Sequence, residues 1–203
     1  MKMNASLKAV AVSAAVVLAA STAGGGTWTW DGGSAVDSNW TTAANWASET
    51  APNSSSTTEI DLAGSARTSP IVDAYDPWDL KSLTFKANAS PFSLSGNALR
   101  FVGGAATDAV VNNGGNTHTI ANDITLGGSQ TRTIRATNGD ITLDGDVVLS
   151  ADGCFRGSET ITVNGVISGS GKLKKLDSGT LSLSRGATHT GQTRIEGGTL
   201  KLI

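Results

Sequence analysis

The stretch ITLGG at residues 124–128 recurs as ITLDG at 141–145 and as ITVNG at 161–165. Each copy contains a β-branched residue, threonine, an aliphatic residue, a variable residue and glycine. Two further runs, TLSLS from Thr180 and TLKL from Thr199, follow each other at a similar spacing. A period of roughly 17–20 residues predicts stacked structural repeats, whereas the strands of a β-sandwich recur about every 8–12 residues.

These repeats predict an all-β fold, specifically a right-handed parallel β-helix. A coil of about 20 residues has room for two or three short strands joined by tight turns, where glycine and asparagine readily adopt positive φ angles. We expect Leu181 and Leu183 to fill the interior and Ser182 to face solvent, because successive side chains of a strand point to opposite faces. Residues 80–203 would then form about six coils, in a rod roughly 30 Å long.

The N-terminal segment at 1–23 has the features of a cleaved signal peptide. Lys2 and Lys8 are followed by an uncharged apolar run at 9–20, and small residues suited to cleavage stand at 21–23. As a helix this run would measure about 18 Å, which is too short for the roughly 30 Å hydrocarbon core of a membrane. We therefore expect a secreted or outer cell-surface protein with no transmembrane helix in its mature chain.

Residues 24–79 are rich in tryptophan and are predicted to form an N-terminal cap on the β-helix. This region holds all five tryptophans and three of the four prolines. Its rings could form a hydrophobic plug or an exposed platform that stacks on sugars, and the plug is favoured because large aromatic side chains are more often buried. The candidate carbohydrate-stacking residues are Trp28, Trp30, Trp40 and Trp46.

The C-terminal run at 169–202 contains a longer motif. GSGKLKKLDSGTLSLS at 169–184 is followed by THTGQTRIEGGTL at 188–200. Together they resemble the autotransporter-associated β-strand repeat, G-x-G-x-L-x-K-x-G-x-G-T-L-x-L followed by N-x-Y-x-G-x-T-x-[IV]-x-x-G-x-L. The matching residues are Gly169, Gly171, Leu173, Gly179, Thr180, Leu181, Leu183, Gly191, Thr193, Ile195, Gly198 and Leu200. The resemblance implies a β-helical passenger or stalk segment of an exported bacterial protein.

Four positions depart from this family pattern. Asp177 and Arg185 stand where glycines are usual, Ala187 replaces an asparagine, and His189 replaces an aromatic residue. The departures concern individual corners of the repeat and leave most of its positions matched.

Composition and spacing argue against several classes of site. Lys and Arg total 15 against 17 Asp and Glu, giving a net charge of −2, which does not suit a nucleic-acid-binding protein. The only cysteine, Cys154, excludes a disulfide framework and is expected to be buried. His118 and His189 lie too far apart in sequence for the usual zinc spacing, and His189 is expected to be a packed or rim ring.

The remaining charged residues are predicted to serve turns or the solvated surface. The densest acidic stretch contains Asp140, Asp144, Asp146 and Asp152. Calcium needs about six to eight oxygen ligands, and only two or three can be placed close together here, so turn roles are favoured. Arg132, Arg135 and Arg156 are expected to be scattered rather than clustered. We therefore predict no catalytic residue, no cofactor and no metal.

Three functions remain, and the first is favoured because the strong signals are architectural. The chain would be a non-catalytic structural or adhesive β-helical passenger segment; the alternatives are a carbohydrate-binding module using the N-terminal tryptophans and a β-helical polysaccharide lyase or hydrolase. An enzyme would require three carboxylates, or a carboxylate–arginine pair, converging on one face. Expected partners are a surface polysaccharide or a neighbouring surface protein. The C-terminal edge at 200–203 would either continue in a longer protein or pair with a partner.

Overall fold

The computed structural model describes residues 25–104 and 107–203, without the side chain of Thr107. The expected signal peptide at 1–23 lies outside the described residues. In chain order the strands are β1 (Thr27–Trp30), β2 (Glu59–Leu62), β3 (Ile71–Val72), β4 (Trp78–Leu80), β5 (Ser82–Phe85), β6 (Ser93–Gly96), β7 (Leu99–Phe101), β8 (Thr107–Asn112), β9 (His118–Ile120), β10 (Ile124–Leu126), β11 (Arg132–Ala136), β12 (Ile141–Leu143), β13 (Val147–Leu149), β14 (Gly153–Gly157), β15 (Thr160–Val163), β16 (Ile167–Gly169), β17 (Leu173–Lys175), β18 (Thr180–Leu183), β19 (Thr193–Ile195) and β20 (Thr199–Leu202).

These strands form a parallel β-solenoid of about six turns within the described residues. Sheet 1 stacks β1-β2-β5-β8-β11-β14-β17-β19, sheet 2 stacks β3-β6-β9-β12-β15-β18-β20, and sheet 3 stacks β4-β7-β10-β13-β16. The all-β solenoid predicted from the repeats is therefore confirmed. Helix is limited, in the described ranges, to one 3-10 turn at Ala43–Asn45, and no helix there is long and apolar enough to cross a membrane.

The register corrects the repeat alignment on which the fold was predicted. Ile141 pairs with Ile161 in sheet 2, as their shared pattern suggests. Ile124, however, belongs to sheet 3, where it pairs with Val147 and Leu99. The interval from Ile124 to Ile141 is thus not a coil length, because similar short strands occupy two different sheets.

True coil lengths vary among the early coils and settle at about 20 residues only in the later ones. Hydrogen bonds between neighbouring coils join residues 27 apart at Ala89 and Asn116, 23 apart at Asp123 and Asp146, and 20 apart at Asp140 and Thr160. The early coils have longer loops between strands, which is why the regular repeat is visible only in the C-terminal half.

The interior is filled by columns of aliphatic and aromatic side chains that alternate with polar ones along most strands. Ile141 and Leu143 of β12 are fully buried, whereas Thr142 between them is partly exposed. The same alternation was expected at β18, but Ser182 is also buried. It lies in register between Thr162 and Lys201, and we attribute its burial to these neighbours on the outer face.

The tryptophan-rich segment is continuous with the solenoid. Strands β1 to β4 pair in the same three sheets as the strands of the later coils. Inside the first coils, ring centroids 5.2–5.7 Å apart link Trp30 to Trp46, Trp46 to Trp40, and Trp40 to Trp78, all edge to face. The Nε1 of Trp46 also donates to the carbonyl of Trp40 at 2.8 Å.

The last described coil is far less covered than those before it. All of β19 is exposed, and Leu202 in β20 is 72% exposed. These two strands form the C-terminal edges of sheets 1 and 2 within the described residues. Their backbones pair with β17 and β18 of the preceding coil.

Candidate functional site

The tryptophans proposed to stack on sugars do not form an exposed platform. Trp30, Trp40 and Trp46 have no exposed surface, and Trp28 is half-buried against the core. Three of the four candidates are therefore wrong as carbohydrate contacts, since a buried ring cannot offer its face to a ligand. The physical reason is that these rings fill the first coils and pack on one another.

The aspartates of the acidic stretch bind backbone groups of the next coil rather than converging on a site. Asp140, Asp146 and Asp152 accept hydrogen bonds from the N–H groups of Thr160, Val166 and Lys172 at 2.8–3.1 Å. For Asp152 this backbone bond is the main cause of a pKa below the usual carboxyl value. The pattern agrees with the turn roles expected from the sequence.

The fourth aspartate, Asp144, accepts a hydrogen bond from Asn164 Nδ2 at 2.7 Å, and Asn164 in turn accepts one from Ser184. Such side-chain ladders join one coil to the next. In the part of the chain that the structure describes, no three His, Cys, Asp or Glu side chains are grouped in a way that could hold a metal ion.

The two histidines have different environments. His118 is fully buried, stacks on Phe85 with a centroid distance of 4.0 Å, and accepts a hydrogen bond at Nδ1 from the backbone of Phe92. Burial lowers the pKa of His118 to about 4, so its ring is neutral at physiological pH. His189 is partly exposed and lies 3.0 Å from Thr193 Oγ1.

The repeat-motif residues lie in the last three coils and serve close packing there. Gly171 and Gly191 stack at one corner, where a Cβ on Gly191 would lie 2.2 Å from the carbonyl oxygen of Gly171. Lys175 is buried, and its Nζ donates to the carbonyl oxygens of Leu176 and Asp177. Desolvation lowers the pKa of this amine.

The outer face of sheet 1 forms a concave groove of about 580 Å³, here called the sheet 1 groove. Its charged lining residues are Asp108, Arg135, Arg156 and Lys174. Its uncharged lining residues are Thr131, Thr133, Cys154 and Leu176. The groove crosses neighbouring coils, because its strand residues come from β8, β11, β14 and β17.

Two arginines lie side by side in this groove. Arg135 and Arg156 are direct register partners in β11 and β14. Arg135 Nη2 donates to Asp108 at 2.9 Å, while Arg156 donates from Nε and Nη2 to the two carboxylate oxygens of Asp177. The expectation that the arginines are scattered is therefore wrong for Arg135 and Arg156. The third, Arg132, lies apart from them: it is buried and donates from Nε to the carbonyl of Gly127.

These ion pairs fix the charge states of the groove. The hydrogen bonds from Arg156 hold the pKa of Asp177 below its usual range, and Asp177 raises the pKa of Arg156. Lys174 pairs with Asp152 at 3.4 Å. Cys154, buried as expected, has a thiol pKa raised mainly by desolvation. At neutral pH the groove thus presents fixed charges above an unionised thiol.

The groove could not be read from the sequence, because its members are separated by whole coils of unequal length. Asp108 and Arg135 are 27 residues apart, and Arg156 and Asp177 are 21 apart. With the register known, the groove could have been predicted from the basic residues that occupy outward positions on successive strands.

No family model, curated protein or solved structure matches the chain.

Proposed function

We propose that this chain is a non-catalytic structural and adhesive segment of an exported bacterial protein. One observation carries the structural part: aspartates that could have formed a reactive cluster instead bind backbone N–H groups of the following coil, as Asp140, Asp146 and Asp152 do. A side chain already committed to a coil-to-coil bond contributes to rod stability. Stacked coils that each contact only their neighbours make an extended surface suited to spacing or adhesion.

Support for export comes from residues 1–23, with their basic start, apolar run and small residues before position 24. The resemblance of 169–202 to the autotransporter-associated repeat supports a passenger-type role at the cell surface. Location outside the cell is therefore part of the same proposal.

Export is tested by expressing the full chain in a bacterial host. We expect a product beginning at Gly24 in the extracytoplasmic or surface fraction, detected by mass spectrometry and protease accessibility. Val17→Arg with Leu18→Arg should block export, since both charges interrupt the apolar run. Asn4→Arg with Ser6→Arg is the control, because it adds the same charge to the basic start and should leave export intact.

Adhesion is tested with the same strains at equal expression. Cells exporting the chain should be retained on a surface or on one another more than cells carrying the export-blocked variant. Equal retention would contradict the adhesive role, and an intact leader in the cytoplasm of the unmodified strain would contradict export.

A second candidate, an enzyme acting on polysaccharide, is favoured by one observation. Two carboxylate–arginine pairs, Asp108 with Arg135 and Asp177 with Arg156, lie on one face. The lowered pKa of Asp177 favours the ionised form, which is unsuited to a general acid near neutral pH. Release of reducing ends or unsaturated products from an acidic polysaccharide would establish this candidate over the passive segment.

A further inference from the structure

We propose that the sheet 1 groove binds a linear acidic polysaccharide, with Arg135 and Arg156 as its principal contacts. This inference deepens the adhesive part of the proposed function and rests on it for the presence of such a polymer around the protein. It moves the carbohydrate contact from the buried tryptophans of the first coils to the charged outer face of the later ones.

The first argument is the placement of like charges in register. Arg135 pairs with Arg156, and Lys174 pairs with Arg194. Like charges directly opposite each other on neighbouring strands are destabilising. Asp108 and Asp177 lie on the guanidinium groups of Arg135 and Arg156 and compensate part of this repulsion. An anion between the two guanidinium groups would compensate it further.

The second argument is the set of hydrogen-bond donors left over. A guanidinium has five N–H donors in a fixed fork suited to carboxylate and sulfate oxygens. Arg156 uses Nε and Nη2 for Asp177, and Arg135 uses Nη2 for Asp108. The Nη1 groups of both arginines lie outside these pairs.

The third argument is that cations recur on consecutive strands of sheet 1. The consecutive sheet 1 strands β11, β14, β17 and β19 each place one cation on the outer face: Arg135, Arg156, Lys174 and Arg194. Lys174 is in register with Cys154 rather than with Arg156, so the four cations form two neighbouring pairs that are offset by two residues along the strands. A polymer that repeats a negative charge along its length can contact both pairs, which a single small anion cannot do.

The fourth argument concerns the uncharged part of the lining. Thr131 and Thr133 offer hydroxyl groups in the same groove, which suits a ligand rich in hydroxyls. Carboxylated and sulfated polysaccharides share the required chemistry.

The test is binding of polygalacturonate to the purified chain, measured by calorimetry in low salt. Its fully methyl-esterified form is the matched ligand, since it has the same sugar backbone without the charge. We expect the acidic polymer to bind and the ester to bind at least about tenfold more weakly. Added salt should weaken the binding of the acidic polymer. A sulfated polysaccharide of similar length distinguishes carboxylate from sulfate preference.

The site is tested with Arg135→Gln combined with Arg156→Gln, which should weaken binding by about tenfold or more. Lys81→Gln with Lys86→Gln is the control. It removes two cations that are also ion-paired, to Glu59 and Asp61, outside the groove, and should leave binding nearly unchanged.

If the double arginine variant fails to fold, Arg156→Gln with Asp177→Asn removes a whole ion pair and should still weaken binding. Three results would overturn the proposal: no binding of either acidic polymer, equal binding of the ester, or equal losses in the groove and control variants. Because binding is measured on the purified chain, each of these results would leave the export experiment standing.

Discussion

At the scale of single residues, His118 is a titratable group that the solenoid holds in its neutral form. It occupies an interior position of sheet 2, in register with Ile141, and its ring lies parallel to that of Phe85, with an interplanar angle of 6°. Burial disfavours the charged imidazolium, which is why the pKa falls to about 4. The histidine therefore acts as an aromatic core residue with one hydrogen-bond acceptor.

We predict that stability falls as the pH decreases from about 6.5 towards 4. The unfolded chain takes up a proton near pH 6.5, whereas folded His118 does so only near pH 4. Protonation of the unfolded chain therefore lowers the free energy of unfolding as the pH falls through this window, by up to roughly 3 kcal/mol at its lower end. Above about pH 6.5 the contribution of His118 to stability is fully present. Urea unfolding at pH 7 and pH 5 measures the effect.

His118→Asn should flatten this pH dependence, because its amide oxygen can still accept the bond from Phe92 but has no proton to gain. The control is His189→Asn, at the partly exposed histidine, which should retain the dependence. If the free energy of unfolding of His118→Asn still fell by the same amount between pH 7 and pH 5, the buried neutral histidine would not be the cause of the pH dependence.

Asp177 shows what a resemblance in sequence can and cannot predict at this scale. The sequence identifies it as a departure from glycine, and the structure gives it a φ of 59°, in the region that favours glycine. Its carboxylate is held by two hydrogen bonds from Arg156 and one from the backbone of Gly157. The compensation could not be predicted, because Arg156 lies a whole coil earlier.

At the scale of a coil corner, close backbone contacts explain why glycines recur. A Cβ on Gly165 would lie 2.1 Å from the carbonyl oxygen of Gly145. Gly186, in contrast, has no atom within 4 Å of that position, and neither glycine has a positive φ. The two sites therefore separate the effect of contact between coils from that of backbone conformation.

We predict that Gly165→Ala destabilises the chain by about 1–3 kcal/mol, since the backbone of one coil must shift away from the next. Gly186→Ala should change stability by less than about 0.5 kcal/mol. Chemical-denaturation midpoints of the two variants provide the measurement. Similar midpoints would mean that the corner at Gly165 accommodates a methyl group without moving the neighbouring coil.

Short repeats predicted the architecture but not the alignment of strands. The pattern shared by Ile141 and Ile161 did reflect register neighbours, because the intervening coil has a regular length. Ile124 has the same local pattern in another sheet, since alternation and turn chemistry are alike in all three sheets. The groove between Arg135 and Arg156 depends on register, so it lay beyond what those local patterns could predict.

At the scale of the whole molecule, the solenoid is one continuous stack of parallel strands. Its early coils are filled by tryptophan and phenylalanine, with Trp30, Trp40, Trp46 and Trp78 at most 1% exposed. Its later coils are filled mainly by aliphatic residues and carry the sheet 1 groove. This places the aromatic core and the proposed ligand groove in different parts of the rod.

The most direct test of this arrangement is tryptophan fluorescence of the purified chain, quenched with acrylamide and titrated with neutral and acidic polysaccharides. We predict blue-shifted emission that is poorly quenched, apart from a minor component from half-buried Trp28 that Trp28→Phe removes. No polymer should shift the emission, even one that binds the sheet 1 groove. Red-shifted, readily quenched emission that moves on addition of one polysaccharide would contradict tryptophans that serve as solenoid core, and would favour ligand binding by the tryptophan-rich coils.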